Sequence, residues 1–279
     1  MVCKYGEQVR IYNHYTDKKR LLRIKTLCDL FNDIAELHTY QQGVNVDILN
    51  QQGLTWMLRR IHIFIADMPK REERMLFESW NPACDGLLVP RIYKVSNWNQ
   101  EAAALYENGT TADKASTGAL RAFAYTDWML INLKGRRPER PTAMMKDLAG
   151  RYQECLPFTA SMFDCREQKG IIGFDDPAWH EACRVQAHYR DIDFNGHVTQ
   201  SSYIQWMMDA HPDQFMEKHL LEEMEVIYAH ELKPGSETGI WLHEAGENRI
   251  SYAVRSLDGT ILHAYGRARF RSISGLADA

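Results

Sequence analysis

Residues 188–210 read HYRDIDFNGHVTQSSYIQWMMDA. Asp191, Asp193, Asn195 and His197 crowd together around Gly196, and an aromatic, apolar run follows. The stretch EACRVQAHYRDI (181–192) places Val185, Ala187 and Tyr189 on one side, the period of a half-buried strand. Tyr203, Ile204, Trp206 and Met207 recur at helical spacing, which predicts a buried helix from about Val198 to Ala210, stopped at His211-Pro212. The turn between them, Asp193 to His197, then holds a carboxylate, an amide and an imidazole. Capping explains one such residue at a helix start, and Asp191 fits that role. Acid, amide and imidazole together form a working set for acyl transfer or carbonyl chemistry. Gly196 permits a close backbone approach or a positive φ. The backbone N–H groups of Gly196, His197 and Val198 are candidates for an oxyanion site at the helix start.

Four strands are expected downstream, in EMEVIYAHEL, TGIWLHEA, RISYAVRS and ILHAYGRARFRS, joined by turns that suit antiparallel hairpins. Glu231 closes the first of them, where a lone acid reads as a solvated edge charge.

The same order occurs earlier. EQVRIYNHY reads as a strand, and 20–38 as an amphipathic helix burying Ile24, Leu27, Cys28, Phe31, Ile34, Ala35 and His38. Thr16 or Asp17 is placed to cap it, and Gly43 to stop it. Strand-like runs follow at 54–67, 73–80, 87–95 and 119–133. Strand, helix, strands thus appear twice. The fold class is α+β, with one long helix against one antiparallel sheet in each half. Two tandem hotdog domains have this pattern, as do two unrelated α+β domains. The expected boundaries are 1–145 for the first, 146–180 for a connector and 181–279 for the second. NHYTDKKR precedes the first helix without a matching acid, amide and imidazole, so the chemistry is expected once.

Composition bounds the rest. A chain of 279 residues with 45% hydrophobic and 25% charged residues has the makeup of a globular protein with a sizeable core. The net charge of −4 weighs against non-specific nucleic-acid binding. Six scattered cysteines without a C-x-x-C pair, and histidines without ligand spacing, predict neither a disulfide framework nor a metal site. No apolar run approaches the ~18 residues of a membrane span, and the N-terminus lacks an apolar targeting core. A cytoplasmic protein is the expectation.

The quoted stretch resembles the acyl-acyl carrier protein thioesterases of plant and bacterial fatty-acid type. Their D-x-N-x-H motif, ahead of a helix with Tyr and Trp, is matched by DIDFNGHVTQSSYIQWMMDA. Their Y-x-x-E strand motif is matched by YAHE, from Tyr228 to Glu231. RIKTLCDLFNDIAELH, GLTWMLRRIHIFIADMPKREERMLFESW and YTDWMLINLKGRRPERP extend the likeness to most of the chain. The resemblance implies a double hotdog that hydrolyses fatty acyl thioesters on acyl carrier protein, without a cofactor. It implies catalytic roles for Asp193, Asn195, His197 and Glu231, and an acyl-tail site in the first half. Leu27, Phe31, Ile34, Trp56 and Met57 are candidates for its lining, each equally a core residue. Some plant members carry a cysteine after the glutamate; Leu232 stands here, so a thiolate at that place is excluded. An acidic carrier calls for a basic patch. Lys134, Arg136, Arg137 and Arg140 form one candidate; Lys18, Lys19, Arg20, Arg23 and Lys25 form another. The alternatives are an acyl-CoA thioesterase of hotdog fold and a non-catalytic acyl-binding protein, as monomer or homodimer.

Overall fold

The computed structural model describes residues 3–84, 86–100, 118–154, 178–244, 246 and 248–273. Residues 155–177 of the expected connector lie outside them. The chain divides into two compact units, 1–158 and 159–279.

In the first unit, β1 (Lys4–Arg10) leads through a 3-10 turn (Asn13–Tyr15) to α1 (Ile24–Gln42) and α2 (Val46–Gln51). Next come β2 (Leu54–Ile65), β3 (Arg74–Trp80), β4 (Leu88–Asn97), β5 (Leu120–Asn132), β6 (Arg137–Glu139) and α3 (Ala143–Leu148). The antiparallel order is β1-β3-β4-β5-β2, with β6 folded back on β5. The expected stripe forms the buried face of α1, where Phe31 stacks on Tyr93 of β4 at 4.7 Å. Gly43 ends α1 in the left-handed region, its N–H returned to Thr39 and Tyr40. Neither Thr16 nor Asp17 caps α1. The helix begins at Ile24, after Arg23, because the preceding residues are committed to a loop described below.

The outer face of this sheet buries charge. Lys4 Nζ lies 2.5 Å from Glu78 Oε1 and donates to the Tyr152 hydroxyl at 3.0 Å. Glu154 pairs with Lys94 and accepts from Tyr152 at 2.8 Å. Leu148 and Tyr152 are buried. Residues 146–154, at the head of the expected connector, therefore pack on the first unit.

In the second unit, β7 (His180–Gln186) and a 3-10 turn (Tyr189–Asp191) precede α4 (Gln200–Asp209) and α5 (Asp213–Lys218). Then follow β8 (His219–Tyr228), β9 (Glu237–Glu244), β10 (Arg249–Ser256) and β11 (Leu262–Ser272), in antiparallel order β8-β11-β10-β9-β7. The strand expected to Ile192 stops at Gln186. Asp191 Oδ2 accepts the His188 N–H at 3.0 Å while its own N–H returns to His188 O, which winds Tyr189 out of the strand. The helix starts two positions later than expected, because Val198 is bridged to Ile192. Among the described residues, no helix is long and apolar enough to cross a membrane.

Candidate active site

The turn at Asp193–His197 is built from its first aspartate. Asp193 Oδ1 accepts the N–H groups of Asn195 (2.9 Å) and His197 (3.1 Å). The Asp193 N–H donates to His197 O at 2.8 Å, and Gly196 N–H donates to Asp193 O at 3.0 Å. Gly196 takes φ 78°, which a side chain resists. Among the described residues, Asp193 Oδ2 keeps one long contact, 3.4 Å from Asn195 Nδ2.

The first unit contains the same turn. Asp17 Oδ1 accepts from Lys19 N–H (2.8 Å) and Leu21 N–H (3.0 Å). Asp17 N–H donates to Leu21 O at 2.9 Å, Arg20 N–H to Asp17 O at 3.0 Å, and Arg20 sits at φ 62°. Thr16 is bridged to Leu22 as Ile192 is to Val198. Leu22 N–H donates to Pro69 O as Val198 N–H does to Leu232 O. The acid of the motif is thus present in both units. Lys19 stands where the second unit has Asn195, Leu21 where it has His197, and Met68 where it has Glu231. Only the second copy carries the amide, the imidazole and the second carboxylate.

His197 Nε2 lies 3.2 Å from Glu231 Oε2, with the two side chains 28% and 37% exposed. Glu231 follows β8 and is pinned on both sides. Ala229 and His230 N–H groups share His263 O, and Leu232 N–H donates to the Tyr203 hydroxyl at 3.1 Å. Burial holds the Tyr203 phenol far above its usual range, so it stays a neutral hydroxyl. Tyr203→Phe strands the Leu232 N–H and is expected to cost about 1–3 kcal/mol. It should also lower turnover by releasing Glu231, which paired melting and rate measurements will show.

The expected oxyanion donors are not available. Gly196 N–H is bonded to Asp193 O, His197 N–H to Asp193 Oδ1 and Val198 N–H to Leu232 O. All three precede α4 and close the turn instead. Asn195 is exposed and keeps an amide that can donate. Asp191 is buried, accepts from Ser202 Oγ at 3.2 Å, and is structural.

The profile of the acyl-ACP thioesterase C-terminal domain matches residues 177–265, around this site, and that of the N-terminal domain matches 3–110. The chain belongs to the acyl-ACP thioesterase family. The oleoyl-acyl carrier protein thioesterase 2 of Arabidopsis thaliana is 23% identical over 236 residues, covering 81% of this chain and 59% of the relative. The chain thus spans about three fifths of that plant protein's length. An acyl-ACP thioesterase from Bacteroides thetaiotaomicron superposes with a TM-score of 0.77 at 20% identity, covering 96% of this chain and 98% of its own. The 12:0-ACP thioesterase from Umbellularia californica gives 0.75 at 15% identity, covering 98% and 99%. These likenesses make each unit a hotdog.

Within this family fold, Leu27, Phe31 and Ile34 line the buried face of α1. Trp56 does not join them. Its indole N–H donates to Val44 O at 3.0 Å, and it packs in a separate cluster with Val44, Leu49, Leu130 and Met145. Met57, next on β2, is half-buried. Leu232 is buried, its N–H held by the Tyr203 hydroxyl and its carbonyl by the Val198 N–H.

Proposed function

We propose that the protein hydrolyses the thioester of fatty acyl groups carried on acyl carrier protein, releasing a free fatty acid. One observation carries the reading. A turn built twice with the same hydrogen bonds bears the amide, imidazole and second carboxylate in one copy, so these groups are not demanded by the fold. The family membership supplies the substrate class.

The thioester carbonyl meets a water molecule held by Asp193 and Glu231. The water oxygen bonds to the carbonyl carbon as its proton passes to a carboxylate. The C–S bond then breaks, and the proton taken up at Glu231 passes through His197, 3.2 Å away, to the leaving sulfur. Asn195 orients the thioester oxygen. The backbone clasp on Asp193 Oδ1 leaves Oδ2 as the reactive edge, which serves equally for direct attack to form an anhydride. The exposed basic hairpin after β5, with Lys134, Arg136, Arg137 and Arg140, suits an acidic carrier. The first unit, without the site, holds the acyl tail.

Free-thiol release from acyl carrier proteins loaded with short to long chains, beside matched acyl-CoAs, tests the reading. Faster release from the carrier forms is expected. Release from CoA alone would make this an acyl-CoA thioesterase. Acyl affinity without release would make it a binding protein.

A further inference from the structure

The interior of the first unit changes character along α1. Its first half presents Leu27, Phe31 and Ile34 toward the sheet, where Phe77 and Val95 pair in register and are buried. The second half presents His38 and Gln42, also buried. The sheet changes in step. Ser79 pairs with Tyr93, and Arg91 with Thr126. All four are buried.

Arg91 centres this polar end. It is 4% exposed, and its Nη1 donates to His38 Nδ1 at 2.8 Å and to Ser79 Oγ at 2.7 Å. Among the described residues, no carboxylate pairs with it. A guanidinium only donates, so His38 Nδ1 accepts and Nε2 carries the proton. Gln42 Nε2 lies 3.0 Å from His38 Nε2, and with the proton on that ring nitrogen the pair bonds only when the amide is flipped to face it with its oxygen. His38 is therefore held neutral beside a buried charge. Such a charge, neutralised by no acid, depends on these few neutral acceptors. An alkyl end pressed against it would displace them and offer nothing in return.

We propose that Arg91, with His38, Ser79 and Gln42, is the wall that ends the alkyl path in the first unit and so selects against long acyl tails. This rests on the reading above that the first unit holds the tail. One methylene in an apolar pocket discriminates only about 10–200-fold. A charged floor converts that shallow slope into a limit.

Arg91→Leu with His38→Leu removes the donor and its main acceptor together. Arg91→Met alone keeps volume and the His38–Gln42 pair, and serves if the double variant fails to fold. With saturated acyl thioesters of increasing length, the variant optimum is expected to move to longer chains. The ratio of kcat/KM for long over short tails should rise about tenfold or more. Binding of free fatty acids of the same lengths, followed calorimetrically, reads the wall without hydrolysis. A shifted binding profile with no thiol release from any substrate would sink the hydrolase reading and leave the wall standing. An unchanged length profile in folded variants, by both rate and binding, overturns the wall. So would an unaltered protein that binds ω-hydroxy chains better than plain ones, because the polar end would then be a binding subsite.

Discussion

Glu231→Gln is expected to slow thiol release about 10²–10⁴-fold, the usual worth of a positioned base. Glutamine keeps the size of the side chain and can still meet His197, but it cannot take a proton. His197→Gln should fall into the same range. Nε2 of His197 and Oε2 of Glu231 are 3.2 Å apart and act as one unit, so the double variant should lose little more than the worse single one. Both positions are partly exposed, so melting temperatures should stay near the parent's. Rates within a few-fold of the parent would remove the pair from the mechanism.

The second large effect is on stability. Lys4→Met takes from Glu78, fully buried, the cation at 2.5 Å and leaves Lys94 at 3.8 Å. Breaking a buried pair costs about 3–5 kcal/mol. A unit of this size should then melt about 10 °C lower. Removing the acid as well, in Lys4→Met/Glu78→Leu, should recover most of the loss, since an apolar pair of similar volume needs no desolvation. A thermal melt of the two variants checks both signs. No change in the single variant would mean that Lys94 and Glu154 carry the network without Lys4.

The sequence shows these two effects unequally. His197 and Asp193 stand in a short motif and are legible at once. Glu231 is legible only through a resemblance, because an acid at a strand end has no periodicity to betray it; its pinning by Tyr203 and His263 is tertiary. The α1 stripe and Gly43 are read correctly from local pattern. The start of α1 is not, because Asp17 resembles a cap in sequence and is spent on Lys19 and Leu21 instead. The oxyanion donors fail for the same reason. A turn residue's N–H is countable in the sequence, but its partner is not. NHYTDKKR hides its likeness to the Asp193–His197 turn because hydrogen bonds to backbone carry it, and only one side chain is shared. No local pattern marks Lys4, Glu78 or Arg91, and only packing shows them to be buried.

The most direct test of a single chemical site in a duplicated turn is a matched pair of substitutions, Asp17→Asn and Asp193→Asn. Asparagine can still accept the two backbone N–H bonds in either copy, so both variants should fold and melt alike. Thiol release should be unchanged in Asp17→Asn and fall about 10²-fold or more in Asp193→Asn. Equal rates in the two variants would contradict the account, leaving Asp193 a loop clasp like its twin.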